Sequence, residues 1–147
     1  MYYPRTIESV ARRISETFPV MLLTGPRQVG KTTLLQKMAE GTNRKYVTLD
    51  NPTIRNIAKT EPELFLQRYA PPVIIDEVQY APELFDYIKI HVDTHKRSGD
   101  FWLTGSQALH MMNRVNESLA GRVGVIRLMG LSNSEITGNY FPEFIVS

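Results

Sequence analysis

The sequence contains no cysteine, which excludes a disulfide framework and a thiolate metal centre and leaves nothing to argue for an oxidising compartment. It has no long apolar run either. Nothing in it approaches the roughly 20 residues that span a bilayer, and the opening "MYYPRTIESVARR" lacks the apolar core of a signal peptide. The expected location is therefore the cytoplasm, with no membrane partner. Internal repeats, low-complexity linkers and a dense basic tract of the kind that marks a nucleic-acid arm are also missing.

What is present is a chain of 147 residues, 42% hydrophobic and 22% charged, the make-up of one ordinary globular domain with room for a core. The net charge of +2 is unevenly spread: residues 1–70 hold eleven Lys/Arg against six Asp/Glu, and the remainder six against nine. That leaning suits a phosphate ligand in the first half, although most of these charges are expected to be solvated helix faces.

Five segments have strand character: "VMLLTG" (20–25), "KYVTLD" (45–50), "PVIIDE" (72–77), "DFWLTGS" (100–106) and "VGVIRLMGL" (123–131). Three of them are nearly continuous apolar runs ending in polar residues, as parallel strands buried on both faces read. Helical stretches separate them. "KTTLLQKMAEG" carries good helix formers up to a stop at Gly41. In "TEPELFLQRY", Thr60 and Glu63 have capping-box spacing with Pro62 in the first turn. Between Pro82 and His95, Leu84, Ile88 and Val92 recur at helical spacing and should face the sheet. Alternating strands and helices predict an α/β fold, a parallel sheet between two helical layers, with its ligand at the carboxyl ends of the strands. Gly25, Asp50, Asp76, Glu77 and Ser106 all fall at such ends.

The run Gly25-Pro26-Arg27-Gln28-Val29-Gly30-Lys31-Thr32, followed by Thr33, matches the phosphate-loop pattern G-x-x-x-x-G-K-[ST]. Its strand and helix flanks are the ones the mechanism needs: glycines let successive N–H groups turn toward phosphate oxygens, and the helix adds its positive end. Lys31 should reach the β- and γ-phosphates, and the Thr32 hydroxyl should ligate Mg²⁺. Binding requires no base, whereas hydrolysis requires a group that aligns water. "VIIDE" supplies one, with Asp76 toward Mg²⁺ and Glu77 toward the attacking water. At the end of "FWLTGS", Ser106, or else Thr104, either touches the γ-phosphate or caps the turn after the strand. Arg122 either points to a neighbouring copy's nucleotide or forms a surface ion pair.

His91 and His95 stand four apart on one predicted helix, but "HVDTH" lacks the glutamate of H-E-x-x-H and no third ligand is evident. They are expected to be a plain helix-surface pair. Phe65, Tyr69, Phe85 and Trp102 are not interleaved with basic residues and should pack rather than stack on bases.

Taken together, "YYPRTIE", "LLTGPRQVGKTTLL", "VTLDNP", "VIIDEVQYAPELF", "FWLTGSQ" and "ESLAGRV" resemble the AAA+-superfamily ATP-binding proteins of bacteria and archaea that end in a C-terminal domain of unknown function. The resemblance runs from about Tyr3 to Glu135. It implies a P-loop NTPase core of three αβα layers, with a five-stranded sheet in the order 5-1-4-3-2. It makes Lys31 and Thr32 the Walker A pair, Asp76 and Glu77 the Walker B pair, Ser106 the first sensor and Arg122 of "LAGR" the finger, and it puts Arg5 near the adenine. Members of that family continue into a helical lid and a further domain, so residues 1–147 would be a single core, excised or truncated before them.

Three functions follow as expectations. The first is Mg²⁺-dependent ATP binding with slow hydrolysis, and a homo-oligomer through Arg122. A second is a nucleotide-gated switch that binds protein or DNA through the missing half. The third, a small-molecule kinase, lacks an arginine-rich lid. ATP is favoured over GTP by the resemblance and by the absence of an Asn-Lys-x-Asp element.

Overall fold

The computed structural model describes residues 5–26, 30–106, 108–128 and 143–146. Five strands, β1 (Val20–Thr24), β2 (Lys45–Thr48), β3 (Val73–Asp76), β4 (Phe101–Gly105) and β5 (Val123–Arg127), pair in parallel. Their order is β2-β3-β4-β1-β5, which from the other edge is the expected 5-1-4-3-2. A sixth strand, β6 (Glu143–Val146), extends the sheet beyond β5 in the antiparallel sense and was not foreseen. Its "EFIV" is too short for periodicity to separate strand from helix, and a single antiparallel edge strand on a parallel sheet is common.

Among the described residues six helices cover the faces: α1 (Arg5–Thr17), α2 (Lys31–Met38), α3 (Pro52–Thr60), α4 (Pro62–Arg68), α5 (Leu84–His95) and α6 (Leu109–Leu119). The pleat sorts the apolar residues into two cores. Val20 and Leu22 of β1, Val73 and Ile75 of β3, and Phe101 and Leu103 of β4 pack with Phe65, Leu84, Phe85, Ile88, Val92 and Val115. The alternate residues Met21, Leu23, Ile74 and Trp102 pack with Ile7, Ala11 and Ile14 of α1 and Leu34, Leu35 and Met38 of α2. The sheet is thus buried on both faces, which is why its strands read as continuous apolar runs. Full burial of each Leu, Ile or Phe contributes about 1.5–3 kcal/mol, so these two layers are the main source of stability.

Two local expectations need correction. Thr60 does not cap α4; its hydroxyl donates to the Asn56 carbonyl at the end of α3, and Glu61 holds the N-cap position without a side-chain bond. Pro62 does sit in the first turn. The α2 helix ends at Met38 rather than running to Gly41, its last carbonyls being met by the Ala39 N–H. Leu84, Ile88 and Val92 are buried against the sheet as expected, and Phe65, Phe85 and Trp102 are core residues.

Candidate functional site

Because β4 lies between β1 and β3, the strand that leads into the phosphate loop and the strand that ends in Asp76 are not neighbours. The carboxyl end of β4 fills the gap with Thr104, Gly105 and Ser106. Ile74 pairs in register with Trp102, so by the two-residue period Asp76 and Thr104 emerge side by side on the face covered by α1 and α2. The sequence places the carboxylate and the hydroxyl at strand ends, and the register brings them together.

The loop itself begins at Gly25, whose φ of 149° and close approach to the chain both demand glycine: a Cβ there would lie 2.3 Å from the Leu128 carbonyl oxygen. Gly30 closes the loop in the left-handed region at φ 79° and serves as the N-cap of α2. Pro26 is exposed, and Arg27, Gln28 and Val29 lie outside the described residues. Lys31, the first residue of α2, is buried, and its Nζ donates to the carbonyls of Gly25 and, at 3.4 Å, Gly105. The ammonium therefore spans the gap between the loop and the end of β4. Thr33 is exposed.

Thr32 Oγ1 donates to Asp76 Oδ1 at 2.8 Å, so the two residues expected at the metal are in direct contact. Thr104 Oγ1 donates to the same carboxylate oxygen, and the Tyr46 hydroxyl donates to Oδ2 at 2.8 Å. Tyr46 was not singled out from the sequence; it stands on β2 two residues before Thr48, the register partner of Asp76, and reaches the carboxylate diagonally. Burial, then the bond to Asp76, pushes the Tyr46 phenol pKa well above its ordinary value. Asp76 and Glu77 are both buried.

Glu77 has φ 60° and ψ 50°, a left-handed conformation that costs a non-glycine residue about 1–2 kcal/mol. Its N–H is held by Thr104 Oγ1 at 2.9 Å, so the hydroxyl that receives the strained turn also donates to Asp76. From Glu77 the chain enters a 3₁₀ turn, Val78–Tyr80. Gln79 Nε2 donates to Glu77 Oε1 at 2.7 Å. The Ser106 hydroxyl accepts from the Ala108 N–H at 3.4 Å, the cap that was the alternative to a phosphate contact.

Arg122 stands at the amino end of β5, where its carbonyl accepts from the Val20 N–H. It is a full strand length, about 15 Å, from its own phosphate loop. Its guanidinium grips Asp93 of α5 through two bonds of 2.7 and 3.0 Å, the ion pair that was the alternative to a finger. This pairing lowers the Asp93 pKa and raises that of Arg122. The Arg5 side chain lies outside the described part of the structure.

The histidine pair lies away from the loop. His91 and His95 stack with centroids 4.1 Å apart, and His95 Nδ1 meets the His91 carbonyl at 3.0 Å. Burial, and then His95, lower the His91 pKa. The two rings line a cleft of about 230 Å³ between α4 and α5, and among the described residues no cluster of three His, Asp or Glu could hold a metal.

Comparison with known proteins bears on the family and the fold. A family model described as an AAA domain matches residues 17–137. The chain belongs to the AAA+ P-loop ATPase family. This AAA+ domain is 34% identical over 125 residues to uncharacterized proteins of Mycobacterium tuberculosis and Mycobacterium bovis, a match covering 85% of the chain and 28% of each relative. The matched part is thus under a third of the length of those relatives. Among solved structures, a DNA replication initiation factor shares the fold at a TM-score of 0.51 and 12% identity, over 84% of this chain and 44% of that one. The Holliday junction branch migration motor RuvB of Thermotoga maritima does so at 0.51 and 19%, over 86% and 43%. At such identities the likeness concerns the fold alone. No helix among the described residues is long and apolar enough to cross a membrane.

Proposed function

We propose that this AAA+ domain binds Mg²⁺-ATP at the carboxyl ends of β1, β3 and β4 and hydrolyses it. The observation that carries the reading is the hydroxyl–carboxylate cluster Thr32–Asp76–Thr104, with Lys31 on one side and Glu77 on the other. Lys31 exchanges its two carbonyl partners for phosphate oxygens, while Gly25 and Gly30 allow the loop backbone to close on them. Thr32 and Asp76 present hard oxygen donors, which fit Mg²⁺, an ion that prefers oxygen ligands and keeps several waters. When bound, that ion neutralises charge on the phosphates. Glu77 holds the water that attacks the γ-phosphorus and takes its proton as the bond to the β–γ bridging oxygen breaks, leaving ADP and phosphate, and Ser106, next to the carbonyl that Lys31 holds, would meet the terminal phosphate. Arg122 has no route to its own chain's loop and would serve a second copy after releasing Asp93.

The test is phosphate release from Mg²⁺-ATP by the wild type, Lys31→Ala and Glu77→Gln, with nucleotide affinity measured on all three. Turnover by the wild type, loss of binding in Lys31→Ala, and binding with only a residual rate of turnover in Glu77→Gln are the expected results. An unchanged turnover rate in Glu77→Gln would remove the glutamate from its role. Tight binding with no release by any form would favour a nucleotide-gated switch that contacts protein or DNA.

A further inference from the structure

We propose that Gln79 is a positioning residue that fixes the Glu77 carboxylate and ties it to the chain leaving β4. This rests on the hydrolytic reading above for its catalytic consequence, though not for the contact itself. The left-handed turn at Glu77 drops the chain into the 3₁₀ segment Val78–Tyr80, which lays the Gln79 side chain between the ends of β3 and β4. Both ends of its amide are used: Nε2 donates to Glu77 Oε1 at 2.7 Å, and Oε1 accepts from the Ser106 N–H at 3.3 Å. The orientation of the amide follows from chemistry, because a carboxylate needs a donor and a backbone N–H needs an acceptor.

A second observation points the same way. Gly105 is the strand residue over which the amide passes, and a Cβ there would lie 3.3 Å from Gln79 Oε1 and 3.0 Å from Met111 Cε. The end of β4 thus lacks a side chain where the amide needs room. The same residue offers its carbonyl to Lys31. Gly105 and Ser106 are therefore contacted by the phosphate-reading lysine on one side and by the glutamate's partner on the other. A shift of this segment on meeting a terminal phosphate reaches Glu77 through one amide. Ala at position 79 breaks both bonds; Glu, of nearly the same shape, offers no donor and brings a second negative charge to Glu77.

The experiment compares kcat, KM and ATP affinity for the wild type, Gln79→Ala, Gln79→Glu, Glu77→Gln and the double variant Glu77→Gln/Gln79→Ala. In parallel, the Gln79 side-chain amide and the Ser106 backbone amide are followed by ¹⁵N–¹H NMR in the nucleotide-free proteins. Gln79→Ala and Gln79→Glu should lower kcat by about tenfold or more, as expected when the supporting partner of a reacting group is lost, with affinity changed by less than about twofold. The double variant should be no slower than Glu77→Gln, because Gln79 acts through Glu77. Glu77→Gln should displace the Gln79 amide signals, and Gln79→Ala should displace that of Ser106. Full kcat in Gln79→Ala, or losses that multiply in the double variant, would overturn the positioning role. If the wild type shows no turnover, the hydrolytic reading falls while the amide signals still decide the bridge. Signals unmoved by either substitution overturn the inference regardless of turnover.

Discussion

Thr104→Val removes a hydroxyl that serves both carboxylate residues of the site. Thr104 is fully buried, its Oγ1 donates to Asp76 Oδ1, and it accepts the Glu77 N–H at 2.9 Å. Valine nearly reproduces the shape, so the loss is polar. A buried N–H left without an acceptor costs about 1–3 kcal/mol, and a hydrogen bond to a charged group is worth about 1.5–3 kcal/mol. The two bonds share an oxygen and do not add fully, so a loss of about 3 kcal/mol is expected. That is a large share of the roughly 5–15 kcal/mol that holds a domain together, and it should lower Tm by about 10 °C. Urea unfolding followed by the fluorescence of Trp102, the single tryptophan, measures it directly. Thr104→Ser keeps the hydroxyl and should stay within about 1 kcal/mol of wild type. Equal losses in the Val and Ser variants, or a Val loss below about 1 kcal/mol, would refute the bridge.

The lowered His91 pKa means that the unfolded chain binds a proton more readily there, so its contribution to stability is present above about pH 6.5 and fades as the pH falls through the folded value. Tm measured from pH 7.5 to 5 should decline less in His91→Gln than in the wild type; parallel curves would sink this. The raised Tyr46 pKa works in the opposite direction: its contribution is complete below about pH 10 and is lost as the pH rises toward the folded value. Alkaline unfolding should therefore start later in Tyr46→Phe relative to its own neutral stability, and an onset identical to wild type contradicts the linkage. Arg122→Ala removes a solvent-screened pair and should leave Tm nearly unchanged. Its effect should appear instead in turnover, with wild-type activity per chain rising with protein concentration and that of the variant staying flat; two flat lines would remove Arg122 from the neighbour's site.

The five parallel strands and the phosphate loop were legible because both are local: an apolar run before Gly25 and good helix formers after Lys31 leave little choice. The pairing of Asp76 with Thr104 was not, because it depends on β4 being inserted between β1 and β3 in one register, a property of the whole sheet. Tyr46 escaped for the same reason, as nothing within "KYVT" says that its neighbour is the acidic strand. Gln79 was in view, inside "VIIDEVQY", but its role needs the left-handed turn at Glu77, which sequence propensity argues against. The helix α3 did announce itself: Asn51 accepts from the Thr53 and Ile54 N–H groups ahead of Pro52 in the first turn, a capping signal overlooked in favour of the false one at Thr60.

The three hydroxyls that converge on Asp76 have a consequence for the order in which the site fills. Two donate to one oxygen of the carboxylate and the third to the other, so this single acid is well satisfied by the protein itself. Asp76 would give up those bonds to a lone divalent ion for little return, since the described residues offer no ring of acids around it. It gains more from a cation that arrives already coordinated by phosphate oxygens. On the function proposed above, the domain would respond to the concentration of the magnesium–nucleotide complex and not to that of free magnesium, treating metal and triphosphate as one ligand.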